Sequence, residues 1–362
     1  MKLFIQIPCF NEEKTLPSVI SNIPSKIEGI DEIYTLVIDD GSTDNTVEVA
    51  KQLGVDYVVR NRRNLGLAES YIRGLDACLC LGADIVVNTD GDNQYACSDI
   101  EKLVKPILEK QADIVIGCRN IDDHKEFSRI KKYLQKLGSK VVSCISGTNI
   151  PDVTSGFRAI NRKAAINISI MNKYTYTVDT LIQAGRTGMK IESVPIKTNP
   201  SLRESRLFKS IPEFIIQQII IMVKVFIFYC PMRFFLCLAS VFFVLTVLNA
   251  LRILYYLFFA GTEDMKFKEG SGVLLLFSAF VTVLFVVAGL FGLVLSGFRL
   301  LVLDIRNRIR DMEIQQNILS PDLDLIINRN LTEKAASKTK IEDVDSERQH
   351  RRKRVSPESV PL

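Results

Sequence analysis

Two apolar runs decide what this chain can fold into. Phe234–Leu251 is 18 consecutive uncharged residues closed by Arg252, and Val273–Phe298 is 26 closed by Arg299. A helix needs about 20 apolar residues to cross the hydrocarbon core of a bilayer. A helix in a water-soluble core rarely stays apolar on every face for so long. The runs therefore predict two transmembrane helices, the first with interfacial aromatics at Tyr255 and Tyr256. Arg233 stands before the pair and Arg299, Arg306, Arg308 and Arg310 after it, around the short linker Gly261–Gly272. Basic flanks mark the cytoplasmic side, so both flanks are expected in the cytoplasm and the linker outside. Gly289, Gly292 and Gly297 would let the two helices approach closely. Ile211–Tyr229 is apolar but interrupted by Pro212, Glu213, Gln217, Gln218 and Lys224, which predicts an interfacial helix lying on the membrane.

The remainder divides around this block. Residues 1–208 read as a soluble domain, 209–231 as the interfacial helix, 232–301 as the membrane hairpin and 302–362 as a largely disordered cytoplasmic tail. The tail becomes charged and poor in aromatics from about Ser320, with disorder expected from about Thr332. The opening MKLFIQIPCFNEE has no apolar secretion signal, so the first domain is expected to stay in the cytoplasm. A net charge of +5, spread rather than striped, argues against nucleic acid as a partner. Eight Cys without a CxxC pair and only two His argue against a zinc site.

Within the first 120 residues, strand-like and helix-like segments alternate. Strands are expected at Leu3–Ile7, Tyr34–Ile38, Tyr57–Val59, Ala83–Asn88 and Asp113–Gly117. Helices are expected at Leu16–Ile23, Asn45–Leu53, Leu67–Leu81 and Ile100–Glu109. Near-continuous apolar strands between helices predict an α/β fold with a parallel sheet covered on both faces. Ligands of such sheets bind at the carboxyl ends of the strands. The acidic clusters of this chain fall at those ends.

Asp90-Gly91-Asp92 follows the fourth strand directly. Two carboxylates two residues apart can face one hard cation, and Mg²⁺ or Mn²⁺ prefers carboxylate oxygens together with substrate phosphates. Gln94 can add an amide oxygen. Asp39-Asp40-Gly41-Ser42 follows the second strand, where an aspartate can accept hydrogen bonds from a base N–H or a ribose hydroxyl. Pro8-Cys9-Phe10-Asn11-Glu12-Glu13 follows the first and should lie beside the Asp39 loop. Taken singly, each cluster is an ordinary turn or helix start.

Together, PCFNEE at 8–13, DDGSTDNT at 39–46, NLGLAES at 64–70 and TDGDNQY at 89–95 resemble family 2 glycosyltransferases of the GT-A fold. Asp152-Val153-Thr154-Ser155-Gly156-Phe157-Arg158 is similar to the DxTSGFR segment of the dolichyl- and polyprenyl-phosphate sugar synthase branch, and Ser205-Arg206-Leu207 to its SKL segment. The resemblance implies a GT-A, Rossmann-like nucleotide-diphospho-sugar transferase domain that depends on Mg²⁺ or Mn²⁺. It implies an inverting hexosyl transfer from a GDP- or UDP-sugar to a polyprenyl phosphate (undecaprenyl or dolichyl) at the cytoplasmic membrane face. Pro8, Phe10, Glu12, Asp39, Asp40 and Asp90 would border the nucleotide, and Asp90, Asp92 and Gln94 would handle metal and diphosphate. Arg119, Arg129, Arg203 and Ser205 would steady phosphate groups, and Asp152 is a candidate base or acceptor-positioning group beside Asp92. Expected partners are the sugar donor, the lipid phosphate, the bilayer and, as an open option, a second copy of the chain. The alternative acceptor is a hydroxyl of a glycan or glycolipid, which would make Asp152 essential as a base. The chain has no Trp, so the QxxRW motif of polysaccharide-elongating relatives is absent and processive synthesis is disfavoured.

Overall fold

The computed structural model describes residues 1–119, 129–170, 176–200, 211–259, 265–316 and 324–327. The chain separates into two compact units, one formed by 1–127, 149–203 and 311–362, the other by 128–148 and 204–310.

The first unit is built on one mixed sheet. In chain order it runs β1 (Lys2–Cys9), α1 (Leu16–Ser21), β2 (Glu32–Asp39), α2 (Thr46–Gln52), β3 (Tyr57–Arg60), α3 (Leu67–Cys80) and β4 (Ile85–Asn88). There follow α4 (Ile100–Leu108), β5 (Ile114–Arg119), and, after a helix of the second unit, α5 (Arg129–Ser146), β6 (Arg158–Asn161), α6 (Arg162–Asn167), α7 (Tyr176–Arg186) and β7 (Ile191–Ile196). The strand order is β7-β5-β6-β4-β1-β2-β3-β8, where β8 is Asp324–Ile327. The first four strands are parallel, as alternating strands and helices require. The fifth expected strand, β5, runs in the same direction as these four, but it is not their neighbour. β5 does not pair with β4; β6 lies between the two, antiparallel to both. β6 is only four residues, RAIN, with a charged and a polar end, so its sequence carries no strand signal that would betray this insertion. The mixed α/β sheet is otherwise the GT-A arrangement anticipated from the motifs. Leu3, Ile5, Ile7, Leu36, Ile38, Val87 and Val115 are fully buried along its strands.

The order has a functional consequence. From β1 the chain steps outward to β2 and β3, then returns to place β4 on the opposite side of β1. The strand order thus reverses between β1 and β4, and the carboxyl ends at such a reversal are the usual ligand position in these sheets.

The second unit holds α5, α8 (Ile211–Tyr229), α9 (Pro231–Phe259) and α10 (Met265–Gln315). Helices α9 and α10 are long and apolar enough to cross a membrane. A Cβ on Gly292 would lie 2.6 Å from Pro231 Cβ, and one on Gly289 would lie 3.2 Å from Met232 Sδ, so both glycines permit a close crossing. Gly297 meets nothing within 4 Å and plays no such part. Thr246 Oγ1 donates to Ser278 Oγ at 2.9 Å across the pair. Arg299 sits 4.3 Å from the Tyr229 ring centroid and donates to the Phe228 carbonyl, closing α8 against α10. Within 302–362, the first 14 residues prolong α10 to Gln315, and Asp324–Ile327 pairs with β3 as β8. The disorder expected from Thr332 falls outside the described residues.

Candidate active site

Three strand-end loops are knitted together at these carboxyl ends. β1 and β2 pair in register, setting Cys9 opposite Asp39. The Asp40 amide then donates to the Cys9 carbonyl at 2.8 Å. Asn11, held at φ 55, accepts from the Thr43 amide at 2.8 Å, while its own amide donates to Ser42 Oγ at 2.9 Å. The Glu12 amide donates to Thr46 Oγ1, and Thr15 Oγ1 donates to Glu12 Oε2 at 2.7 Å and to the Gly91 carbonyl at 2.8 Å. The 8–13 loop thus bridges the 39–46 and 89–95 loops. Gly91 is needed there, because a Cβ would stand 2.8 Å from Cys9 Sγ.

The two aspartates of the second loop have separate tasks. Asp39 is fully buried; the Ser42 amide holds its Oδ1, and Arg60 Nε lies 3.3 Å from Oδ2. Gly41, Ser42, Arg60, Asn61 and Arg62 line an adjoining cleft of about 330 Å³. Asp40 turns away. Its carboxylate accepts from Asn61 Nδ2 and from the Leu65 and Gly66 amides, all at 2.9 Å. Asp40 thus anchors the 61–66 loop beside the expected nucleotide site, with both of its oxygens accepting hydrogen bonds. Gly41, at φ +72, makes that approach possible, since a Cβ would lie 2.7 Å from the Arg63 carbonyl carbon.

At the end of β4, Asp90 Oδ1 is sealed from solvent without a hydrogen-bond partner. Burial, reinforced by the Asp92 charge, pushes the Asp90 carboxyl up to about 7. Asp92 Oδ1 accepts from the Gln94 amide at 3.1 Å. Below the pair runs a buried polar layer. Gln6 Nε2 donates to Asn88 Oδ1 at 3.0 Å, and Asn88 Nδ2 donates to the Gly156 carbonyl at 2.9 Å and to the Tyr176 hydroxyl at 3.1 Å. Tyr95 Oη accepts from the Gly156 amide, and its ring stacks on Phe157. A Cβ on Gly156 would fall 2.7 Å from the Tyr176 hydroxyl and 3.1 Å from both Asp90 oxygens. The glycine of the 152–158 segment therefore gives Asp90 its place.

An unpaired buried carboxylate beside a second one suits a hard cation. Among the described residues no group of three His, Cys, Asp or Glu side chains is disposed to hold a metal. Two carboxylates with the remaining positions left to water and phosphate is the habit of Mg²⁺, which keeps few protein ligands.

Arg119 ends β5 over the Tyr95 ring, 6.0 Å from its centroid. Its Nε and Nη2 donate to Asp152 Oδ2 and Oδ1 at 2.7 and 3.0 Å, and Nη2 also donates to Thr154 Oγ1. Burial alone would raise the Asp152 carboxyl, but the Arg119 guanidinium overrides it and holds the group below the usual carboxylate range. A fully buried carboxylate in a two-point ion pair is a poor proton acceptor. Asp152 fixes the Arg119 fork.

Pro8 is the penultimate residue of β1 and is buried, and Phe10, just past the strand, is half-buried. Arg129 opens α5, with its side chain outside the described residues; Arg203 and Ser205 lie outside them altogether. The sequence reading did not single out Arg60, Asn88 or Tyr176. Arg60 becomes visible once β2 and β3 are in register, Asp39 opposite Arg60. Asn88 carried a signal in itself: an amide ending an apolar strand just before an acidic turn.

The family profile described as glycosyl transferase family 2 matches residues 4–169. An uncharacterized protein of Methanocaldococcus jannaschii is 34% identical over 203 residues, 54% of this chain and 81% of that protein. The UDP-N-acetylglucosamine–dolichyl-phosphate N-acetylglucosaminyltransferase of Methanococcus voltae is 31% identical over 218 residues, 54% of this chain and 85% of that protein. Polyprenol monophosphomannose synthase of Mycolicibacterium smegmatis is 26% identical over 206 residues, 54% of this chain and 76% of that protein.

Proposed function

The chain belongs to glycosyltransferase family 2, and from that premise we propose that it transfers a hexosyl group from a nucleotide diphosphate-sugar to a polyprenyl phosphate, inverting the anomeric carbon, at the cytoplasmic membrane face. Relatives named for dolichyl- and polyprenyl-phosphate acceptors support the acceptor class. Two membrane-length helices support a site supplied with lipid. The domain plan is a catalytic unit over 1–208, an interfacial segment over 209–231, a membrane hairpin over 232–301 and a cytoplasmic tail beyond it.

The observation that carries the reading is the partnerless Asp90 oxygen beside Asp92, at the carboxyl ends where the strand order turns back. In this scheme Asp39, backed by Ser42 and Arg60, receives the base or ribose. Pro8, Phe10 and Glu12 border the nucleotide. Asp90 and Asp92, with Gln94 nearby, hold Mg²⁺ or Mn²⁺, which when bound supplies positive charge beside the departing diphosphate. Arg119, steered by Asp152, presents the rest of its fork to a phosphate, for which a planar guanidinium is well shaped. Arg129, Arg203 and Ser205 complete the phosphate contacts. A lipid phosphate is already an oxyanion near neutrality and asks for alignment rather than a base. The engagement of Asp152 with Arg119 favours that acceptor over a hydroxyl.

The test is a radiolabelled nucleotide-sugar screen with membranes containing the protein, followed by lipid extraction. Label should enter the organic phase only with Mg²⁺ or Mn²⁺, and Asp92→Ala should abolish it. Labelling that persists in EDTA, or transfer to water-soluble glycans alone, would overturn the assignment.

A further inference from the structure

Helix α10 is longer than a bilayer requires. At about 1.5 Å per residue, its 51 residues extend roughly 75 Å, against about 30 Å of hydrocarbon. The charge-free stretch ends at Phe298, and the helix continues unbroken to Gln315 through Asp304, Arg306, Arg308, Arg310 and Asp311. A helix that runs straight on from a span leaves the bilayer, so this extension meets water.

Its two sides differ. Arg310 and Ile314 are buried, at 9% and 4% exposure. On another face Phe298, Val302, Ile305, Ile309 and Met312 are 46–61% exposed. Their spacing is 4, 3, 4 and 3, the heptad alternation of a coiled-coil seam. Leu300 and Leu301 are exposed off that row near its start, and from Ile305 to the end of the helix the exposed large hydrophobics are on it alone. Val302 and Ile309 fall at the a positions, where β-branched side chains favour two parallel strands; Phe298, Ile305 and Met312 fall at d. The flanking charges agree. Arg308 takes a g position and Glu313 the e position of the next heptad, the pair that meets across a parallel interface. The ion pair Arg308 makes within its own helix, to Asp304 at 3.0 Å, is exposed and weak, so it can be exchanged.

We infer that the extension of α10 beyond the membrane pairs in parallel with the same segment of a second copy of this chain, through the Val302–Ile305–Ile309–Met312 seam and reciprocal Arg308–Glu313 contacts. The inference stands apart from the assigned chemistry and needs none of it.

The test uses the full chain in nanodiscs or mild detergent. Ile305→Cys lies on the seam, and Asp304→Cys lies one residue off it, equally exposed to water. Under mild oxidation, Ile305→Cys should give a two-chain species about tenfold more abundant than Asp304→Cys gives, because only seam positions bring Cβ atoms within disulfide reach. Arg308→Glu should lower the two-chain fraction, and adding Glu313→Arg should restore it. Equal cross-linking at both positions, a cross-linked species larger than two chains, a single-chain mass for the unsubstituted protein, or a charge swap without recovery would each overturn the inference.

Discussion

Asp90 shows how a binding group is kept at a cost to the fold. Its Oδ1 is buried without a protein partner, and burial together with Asp92 raises its carboxyl from the ordinary 3.8 to about 7. A raised carboxyl destabilises the folded state once pH exceeds the unfolded value, and the penalty is complete only above the folded one. Asp90→Asn should therefore stabilise the metal-free protein at pH 8 by about 1–3 kcal/mol, the range for relieving a buried unpaired polar group, while eliminating transfer. The advantage should shrink as pH falls from about 7 toward 4, read as the difference between the two thermal midpoints in EDTA. Arg119 and Asp152 make a second residue-scale case. If Asp152 acts by aiming Arg119, Asp152→Asn and Arg119→Ala should each lower kcat/KM, by about 10–100-fold as outer-shell losses do. The double variant should be no worse than the poorer single one. A base would show independent losses.

At the scale of elements, much of the first unit was legible in advance. The apolar runs of β1 to β5 and the acidic turns after them placed the Asp39 and Asp90 loops at one edge, because a parallel sheet leaves no other arrangement of carboxyl ends. What stayed hidden depended on pairing partners. β6 is four residues, and nothing in Arg158–Asn161 reveals that it separates β4 from β5. Asp40 looked equivalent to Asp39 until the 61–66 loop folded back on it. Buried Arg158 donates to Thr180 Oγ1 and to the Thr177 and Ser155 carbonyls, so the Arg that ends the 152–158 segment braces α7, a role the motif itself did not indicate. In the membrane pair, the three glycines looked alike in sequence and the crossing separates them. Gly292→Leu should weaken the hairpin by about 1–3 kcal/mol through overpacking against Pro231, and Gly297→Leu should leave the thermal midpoint in detergent unchanged.

For the whole molecule, the tail after the second span belongs partly to the fold. β8 covers the edge of β3, the strand that carries Arg60 toward Asp39. Composition hid this, because Asp324–Ile327 offers only three apolar residues, Leu325, Ile326 and Ile327, in a charged stretch. A chain ending at residue 316 should expose the β3 edge and lose about 2–6 °C in thermal midpoint, with increased self-association through the open strand. The position of β8 also sets a timetable. Ribosomes release the sheet's first seven strands before either membrane helix, and its eighth only after both. The domain therefore reaches its final edge only once the hairpin has been synthesised, so assembly of the sugar-handling half waits upon the half that reaches the lipid.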